Sequence, residues 1–231
     1  MNQCWEKFIE SVPWLLKRGQ TAEVEDSQPA GSWVAASSDF DRLFPELSLI
    51  LHSAVVTCVM AGGRRYHLYT WLRPDGCACD WLSPLPSADP MCSLHPDHRV
   101  LLTSFGGIVE RSNEPEWWIL NHNDVLTERL AHGNATFIRS YAWAFEEACV
   151  EIPVDLDAFY PIAEEANRNT TFCHRLSGEV VLFAHDHTFD HVEQFPGCPP
   201  YTFYRLSAAS RLPDWVNAVA LQWRTWIESV D

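Results

Sequence analysis

The chain has 231 residues, of which 47% are hydrophobic and 13% aromatic, so it can bury a sizeable core and is not a disordered chain. Its formal net charge of -15 argues against binding to nucleic acid, whose phosphates it would repel, and is compatible with a basic protein partner. The sequence has no apolar run of the roughly 18 residues that a membrane helix needs. It also lacks the start of a signal peptide, so we expect a cytoplasmic protein.

The N-terminal third is predicted to contain helices and one hairpin. Apolar residues at helical spacing from Trp5 to Leu16 indicate a short helix. The segment 19–38 is small and polar, and we interpret it as a linker or a surface loop. A second helix is predicted from Asp39, a good capping residue, to about Leu49. Strands at 54–60 and 66–72 flank two glycines that suit a hairpin turn.

The middle of the chain is predicted to begin with a long loop, which is followed by helices and strands. Arg73 to His98 is rich in proline, and a loop of this length is usually functional, metal-tied or disordered. From Arg99 an apolar run reaches Gly106-Gly107, which predicts a helix that stops at the glycines and re-enters as a strand. A short strand is predicted at Trp117 to Leu120 and a helix around Asn123 to Ala131.

The C-terminal part is predicted to be mostly strands. After a helix at Tyr141 to Cys149, Thr170 to Arg175 and Glu179 to Ala184 form a hairpin, because Gly178 supplies the positive φ of a tight turn. Another strand is predicted at Tyr201 to Leu206. Runs of strands followed by a helix favour an α+β fold over alternating βαβ units.

Tryptophan is abundant, with 11 residues, and most are assigned to the core. Trp215, Trp223 and Trp226 share one face of an amphipathic helix from about Pro213. In the strand at 117–120 one of the adjacent tryptophans must face away from the other, and an exposed Trp is a typical interface anchor. A second layer of structure that covers both is the equal alternative.

A candidate zinc site lies in the proline-rich segment. Cys77-x-Cys79 is followed by Cys92-x-x-His95-x-x-His98, and thiolates and imidazoles are zinc ligands. The spacing is not that of a recognised zinc finger, since one residue separates the first two cysteines. Ordinary loop residues are the alternative, so we predict no cofactor and keep structural zinc on Cys77, Cys79, Cys92 and His95 as an option.

A second cluster, at 185–191, offers metal or acid–base chemistry. It contains His185, His187, Asp190 and His191. The zinc-peptidase pattern needs Glu after the first His of a pair four apart, and Thr188 follows His187 instead. A polar strand end is the simpler interpretation. A metal-dependent hydrolase that uses these four residues is therefore the alternative function, and not the leading one.

Two shorter motifs have a turn as their simplest explanation. Ser177 lies near His174, but no G-x-S-x-G elbow surrounds it, so a turn serine is expected in place of a nucleophile. The run Gly62-Gly63-Arg64-Arg65 could contact an anion, and a hairpin turn explains it equally well.

The acidic residues are concentrated in one part of the chain. Between Ala144 and Glu193 there are eleven acidic residues and only two basic ones. The hairpin at Phe159 to Glu193 lies inside this part and is interpreted as a recognition surface for a basic partner. The candidate partner-binding residues are Glu164, Glu165, Asp186, Asp190 and Glu193.

Several short segments, in this order, resemble the SUKH superfamily, which includes bacterial immunity proteins and regulators of yeast cell-wall synthesis. They are SFGGI (104–108), a Trp-bearing strand (117–120), PIAEEAN-x-NTT (161–171), SGEVVLFAHD (177–186) and a closing LPDWVNAVALQW helix. The resemblance covers roughly His95 to Arg224. Arg168 departs from the pattern, because it stands at a turn position where glycine is expected.

The resemblance implies a single α+β domain with a central mixed, largely antiparallel sheet flanked by helices. We expect an N-terminal helix and linker at 1–38 and a SUKH-like domain at 39–231, with the clearest likeness at 95–224. It further implies a non-catalytic immunity protein that binds and neutralises a cognate polymorphic toxin, often a nuclease, in the bacterial cytoplasm. The family has no shared catalytic residues to carry over, so we predict no enzymatic activity.

Overall fold

The strands form two antiparallel sheets in the computed structural model, which describes residues 3–29, 38–115, 122–186, 192–207 and 209–229. The first sheet consists, in spatial order, of β1 (Ala22–Pro29), β2 (Val55–Ala61), β3 (Arg64–Leu72), β4 (Ala78–Pro84) and β5 (Glu110–Ser112). The second consists, in spatial order, of β10 (Val192–Gln194), β11 (Phe203–Leu206), β9 (Val180–Phe183), β8 (Thr170–His174), β7 (Phe159–Glu165) and β6 (His122–Val125).

Helices pack on both sheets. The α-helices are α1 (Gln3–Ser11), α2 (Ser38–Leu43), α3 (Pro45–Ser53), α4 (Pro96–Ser104), α5 (Glu128–Ala131), α6 (Ala142–Glu147) and α7 (Leu212–Glu228). Within the described ranges, 3-10 helices span Ala135–Tyr141 and Leu156–Ala158. No helix among these is long and apolar enough to cross a bilayer, a finding restricted to the residues that the structure describes.

The N-terminal helix α1 covers one face of the first sheet. Trp5 and Phe8 of α1, with Val12 just beyond it, are buried against Val59 of β2 and Leu68 of β3. Burial of these apolar side chains is what attaches α1 to the sheet, since each contributes about 1.5–3 kcal/mol of transfer free energy.

The main core lies between the two sheets and the helices α3, α4 and α7. Trp71 and Trp81 of the first sheet, Tyr160 of the second and Trp223 of α7 are all buried in it. The Trp81 and Trp223 rings meet edge to face with their centroids 5.1 Å apart. The apolar face predicted for the C-terminal helix is confirmed, because Trp215 and Trp223 are fully buried.

The second sheet has a separate core on its other face. Phe172, Phe183 and Phe203 come from three neighbouring strands and point to this face, since residues alternate between the two faces of a sheet. The 3-10 helix Ala135–Tyr141 and Phe145 of α6 cover them. This layer fixes the position of α6 relative to the ends of β9 and β11.

Two glycines make the junction between the sheets possible. Ile108 and Val125 form an isolated bridge that joins the first sheet to the second, with both N···O distances 2.8 Å. A Cβ on Gly106 would lie 2.0 Å from the carbonyl oxygen of Pro84, and Gly107 has a φ of +84°. A side chain at Gly106 would clash with the Pro84 backbone, and a side chain at Gly107 would be strained by the positive φ. The two glycines of the SFGGI motif therefore allow the backbone segments to cross closely at this point.

The α+β class predicted from the sequence is confirmed, but the sheet arrangement differs from the expectation. The single central mixed sheet is corrected to two sheets in which every described strand pair is antiparallel. The predicted linker at 19–38 is wrong for Ala22–Pro29, which pairs with β2 as an edge strand. The division at residue 38 stays a prediction, as does the likeness to SUKH proteins.

Other elements are confirmed or shifted. The predicted hairpin turn at Gly62-Gly63 is confirmed, since both residues have positive φ and Ala61 pairs with Arg64. The helix predicted around 123–131 is confirmed only from Glu128 onward, because His122–Val125 pairs with β7 as a strand. The strand predicted at 117–120 lies outside the described residues.

Candidate functional site

An aromatic groove lies at one end of the second sheet. Tyr141 from the 3-10 helix, Trp143 from α6, His185 just after β9 and Tyr201 just before β11 form its walls. The groove has a volume of about 520 Å³, and Glu147 also lines it. We use the name aromatic groove for the surface formed by these five residues.

Two of these aromatic side chains are unusually exposed. Trp143 is 56% and Tyr201 51% exposed, whereas Phe145, two residues after Trp143, is buried. The Tyr141 and His185 rings lie in contact, with their centroids 4.9 Å apart, and form the inner wall. Trp143 therefore lies outside the core, because only the Phe145 side of α6 faces the sheet.

The backbone holds Tyr201 in a defined position. Its φ of +59° is uncommon for a residue with a side chain. Its N–H donates a hydrogen bond to the Tyr204 hydroxyl at 2.8 Å. The two preceding residues are Pro199 and Pro200, whose rings restrict the chain further. The aromatic ring is thus presented to solvent by a conformationally restricted segment.

A buried asparagine connects this groove to the acidic residues predicted from the sequence. The Asn169 side chain is fully buried, and its amide nitrogen donates to Glu165 Oε2 at 3.1 Å and to Asp186 Oδ1 at 2.8 Å. Its amide oxygen accepts the backbone N–H of His185 at 3.1 Å. Asn167 donates to the second oxygen of Asp186. This network ties the β7–β8 turn to the end of β9.

The structure brings some of the predicted acidic residues together and separates others. Glu165 and Asp186 share Asn169, but Glu165 is buried and only Asp186 is exposed. Glu164 is half-buried on β7, opposite Asp124. Glu193 is exposed on the edge strand β10, with three strands between it and β7. Asp190 lies outside the described residues.

Arg168 in the same turn confirms one observation made from the sequence. Its φ is +72°, a value that favours glycine. The turn therefore keeps the backbone conformation expected there, and the arginine side chain is exposed beside Asn167.

The histidine cluster can be described at one position only. His187, Asp190 and His191 lie outside the described residues. His185 packs its ring against Tyr141 and Phe183, and its Nδ1 is buried with no hydrogen-bond partner among the residues that the structure describes. The ring acts as a wall of the aromatic groove, and the described geometry adds nothing in favour of a hydrolase.

The cysteine and histidine residues of the zinc motif have different surroundings. Cys79 is fully buried in β4, where burial raises the pKa of its thiol to about 11, while Cys77 and Cys92 are exposed. The His95 ring caps α4 by accepting the Asp97 N–H at 3.3 Å. Within the described ranges no three His, Cys, Asp or Glu side chains are grouped as metal ligands would be.

The contact between Ser177 and His174 is formed within a turn. The Ser177 hydroxyl lies 2.9 Å from His174 Nδ1, which also accepts the Ser177 backbone N–H at 3.0 Å. The hydroxyl in turn accepts the Glu179 N–H at 3.2 Å. All three interactions close the connection between β8 and β9, which matches the expected turn serine.

Comparison of the chain with models of known protein families, with curated proteins and with solved structures finds no match. The resemblance to SUKH proteins consequently stays a prediction. The aromatic groove was not predictable as a site, because its walls come from segments about 40 and 16 residues apart in the sequence. The one available signal was the run of prolines before Tyr201, which indicated a restricted turn.

Proposed function

We propose that this protein is a non-catalytic binding module that recognises a basic partner protein through the aromatic groove and the acidic residues around it. The observation that carries the proposal is the pair of exposed aromatic side chains, Trp143 and Tyr201, on either side of a groove that also contains Glu147. The exposed Asp186 and its buried asparagine support lie at the same end of the sheet.

Large aromatic side chains are the residues most often responsible for binding energy in protein interfaces. A folded chain gains nothing by exposing Trp143 and Tyr201 to water, and burying them under a partner would recover about 25 cal/mol for each Å² of apolar surface. The fixed backbone at Tyr201 lowers the conformational entropy that binding would cost.

The chemistry of the groove favours a cationic side chain in the partner. An Arg or Lys group placed over a Trp or Tyr ring is attracted by the ring's negative face. Glu147 in the same groove supplies a carboxylate for the same cation. The net charge of -15 would also accelerate encounter with a basic partner, and that effect weakens as salt rises.

The resemblance to immunity proteins makes a cognate polymorphic toxin the proposed partner. A nuclease toxin fits this chemistry, since a surface that binds nucleic-acid phosphates is rich in Arg and Lys. Binding of the acidic chain over such a surface would block access of the nucleic acid. In this proposal Glu165 and Asn169 are positioning residues, while Asp186 and Glu147 contact the partner.

The test is affinity capture from the organism that encodes the chain, followed by mass spectrometry and co-expression. Wild type should retain a basic protein and should protect cells that express that protein's toxic domain. Trp143→Ala should weaken binding by about 2 kcal/mol or more, about thirtyfold in Kd. The matched control is Trp14→Ala, since Trp14 is 67% exposed on the N-terminal segment beside the first sheet.

Three results would contradict the proposal. They are a captured partner that binds Trp143→Ala as tightly as wild type, a partner that is acidic, and absence of protection on co-expression. Loss of binding in both Trp143→Ala and Trp14→Ala would place the interface elsewhere.

A further inference from the structure

A second groove, of opposite charge, lies at the end of the first sheet. Lys17, Arg64, Arg65 and Arg129 line it, and we call it the basic groove. It is formed where the β2–β3 hairpin meets the end of β4, the Gly106 crossing and the start of α5. Its volume is about 520 Å³, within the range of small-molecule sites.

The charge of this groove contrasts with that of the chain. It contains four of the 16 Lys and Arg residues, and Glu128 is the single acidic residue among its lining, whereas the whole chain has 31 acidic residues. A carboxylate of Glu128 already accepts the Met91 N–H at 2.9 Å.

The cations differ in whether they already have an anionic partner. Arg65 pairs with Glu25 at 3.1 Å, and Arg129 pairs with Asp124 at 2.5 Å. Lys17 and Arg64 are exposed and form no ion pair with another residue that the structure describes. Two cations are therefore held in place by acids on one side, and two are left for an external anion.

The positions of the cations follow from the fold. The two-residue turn at Gly62-Gly63 has φ values of +57° and +77°, which place Arg64 and Arg65 directly at the start of β3. Gly106 brings the backbone of Pro84 close, so the groove has a floor of backbone and apolar side chains. That floor includes Leu85, Leu102 and Val109.

We propose that the basic groove binds a small organic anion that carries a phosphate group and an apolar part. The phosphate would lie between Arg64 and Lys17, since the guanidinium fork matches phosphate oxygens and an ammonium group adds a point charge. The apolar part would cover Leu85 and the neighbouring floor. This inference does not depend on the proposed partner protein, because the two grooves lie on different sheets.

The test uses the full chain and two probes, phenyl phosphate and inorganic phosphate, in calorimetric titrations at low salt. Phenyl phosphate should bind one to one, more tightly than inorganic phosphate, and less tightly as salt rises. The double variant Lys17→Gln/Arg64→Gln should bind at least about tenfold more weakly, because it lacks two charged hydrogen-bond donors.

The control is Arg42→Gln/Arg139→Gln, which changes the net charge equally at two exposed arginines outside the groove. This control should bind phenyl phosphate as wild type does. Absence of saturable binding by wild type, or equal affinity of the two double variants, would overturn the proposal. Equal affinity of wild type for the two probes would contradict an organic anion.

Discussion

Stability should fall in mild acid in part because of a fully buried histidine, His98. Burial also lowers the pKa of His67, which acts in the same direction. The His98 side chain is fully buried, with its Nε2 3.0 Å from the Leu126 carbonyl oxygen and its Nδ1 3.1 Å from the Tyr160 hydroxyl. A carbonyl oxygen can only accept, so Nε2 carries the proton and Nδ1 accepts from Tyr160. Burial lowers the pKa of His98 to about 4.

The sign and size of the effect follow from linkage. The histidine has a pKa near 6.5 in the unfolded chain, so between that pH and about 4 the unfolded state binds more protons than the folded state. The contribution of His98 to the free energy of unfolding is therefore fully present above pH 6.5 and is lost as pH falls toward 4. Between pH 7.5 and 4.5 the loss is about 2.5 kcal/mol, a large part of a typical 5–15 kcal/mol domain stability.

Two buried carboxyl groups act in the opposite direction. Burial raises the pKa of both Asp80 and Asp124. The folded state therefore binds their protons more readily than the unfolded state does, and their contribution to the free energy of unfolding increases as pH falls. The wild-type stability curve alone would mix these effects. The difference between wild type and His98→Gln cancels the contributions of these carboxyl groups and of His67, and so isolates His98.

The assay is urea unfolding of both proteins from pH 7.5 to 4.5. The stability advantage of wild type over His98→Gln should shrink by about 2 to 3 kcal/mol across this range. Parallel curves for the two proteins would refute the reasoning, because they would mean that His98 has the same pKa in the folded and unfolded states.

Two further predictions concern the glycine crossing and the asparagine network. Gly106→Ala should destabilise the fold by at least about 2 kcal/mol, since its Cβ would meet a carbonyl oxygen at 2.0 Å. Gly63→Ala, which has free space but a φ of +77°, should cost only about 1 to 2 kcal/mol; equal losses in thermal unfolding would contradict this. Asn169→Ala should cost about 2 kcal/mol or more, because it removes the hydrogen bonds that the buried amide forms with Glu165 and with the backbone N–H of His185. It should also weaken partner capture, and a stable variant with unchanged capture would argue against the positioning role.

The parts of the fold that were predictable have strong local patterns. The spacing of Trp215 and Trp223 defines α7, and the paired glycines at 62 and 63 define the hairpin turn. The strand β1 was missed because it lies at an edge, where exposed Glu23 and Glu25 alternate with partly buried side chains and give the segment a polar composition.

The candidate site was predictable only in part. The acidic hairpin drew attention to Asp186, which is exposed, but burial of Glu165 could not be inferred without knowing that Asn169 points inward. Trp143 and Tyr201 come together through the packing of α6 on the second sheet. No local pattern encodes a contact of that kind, since it depends on which side of a short helix is covered.

Hydrogen exchange of the chain with and without its captured partner tests the recognition surface most directly. Complex formation should slow exchange in two segments, Ala142–Glu147 and the residues around Tyr201, and leave β3 unchanged. Protection confined to the first sheet, with unchanged exchange at Trp143 and Tyr201, would contradict the assignment of the aromatic groove as the binding site.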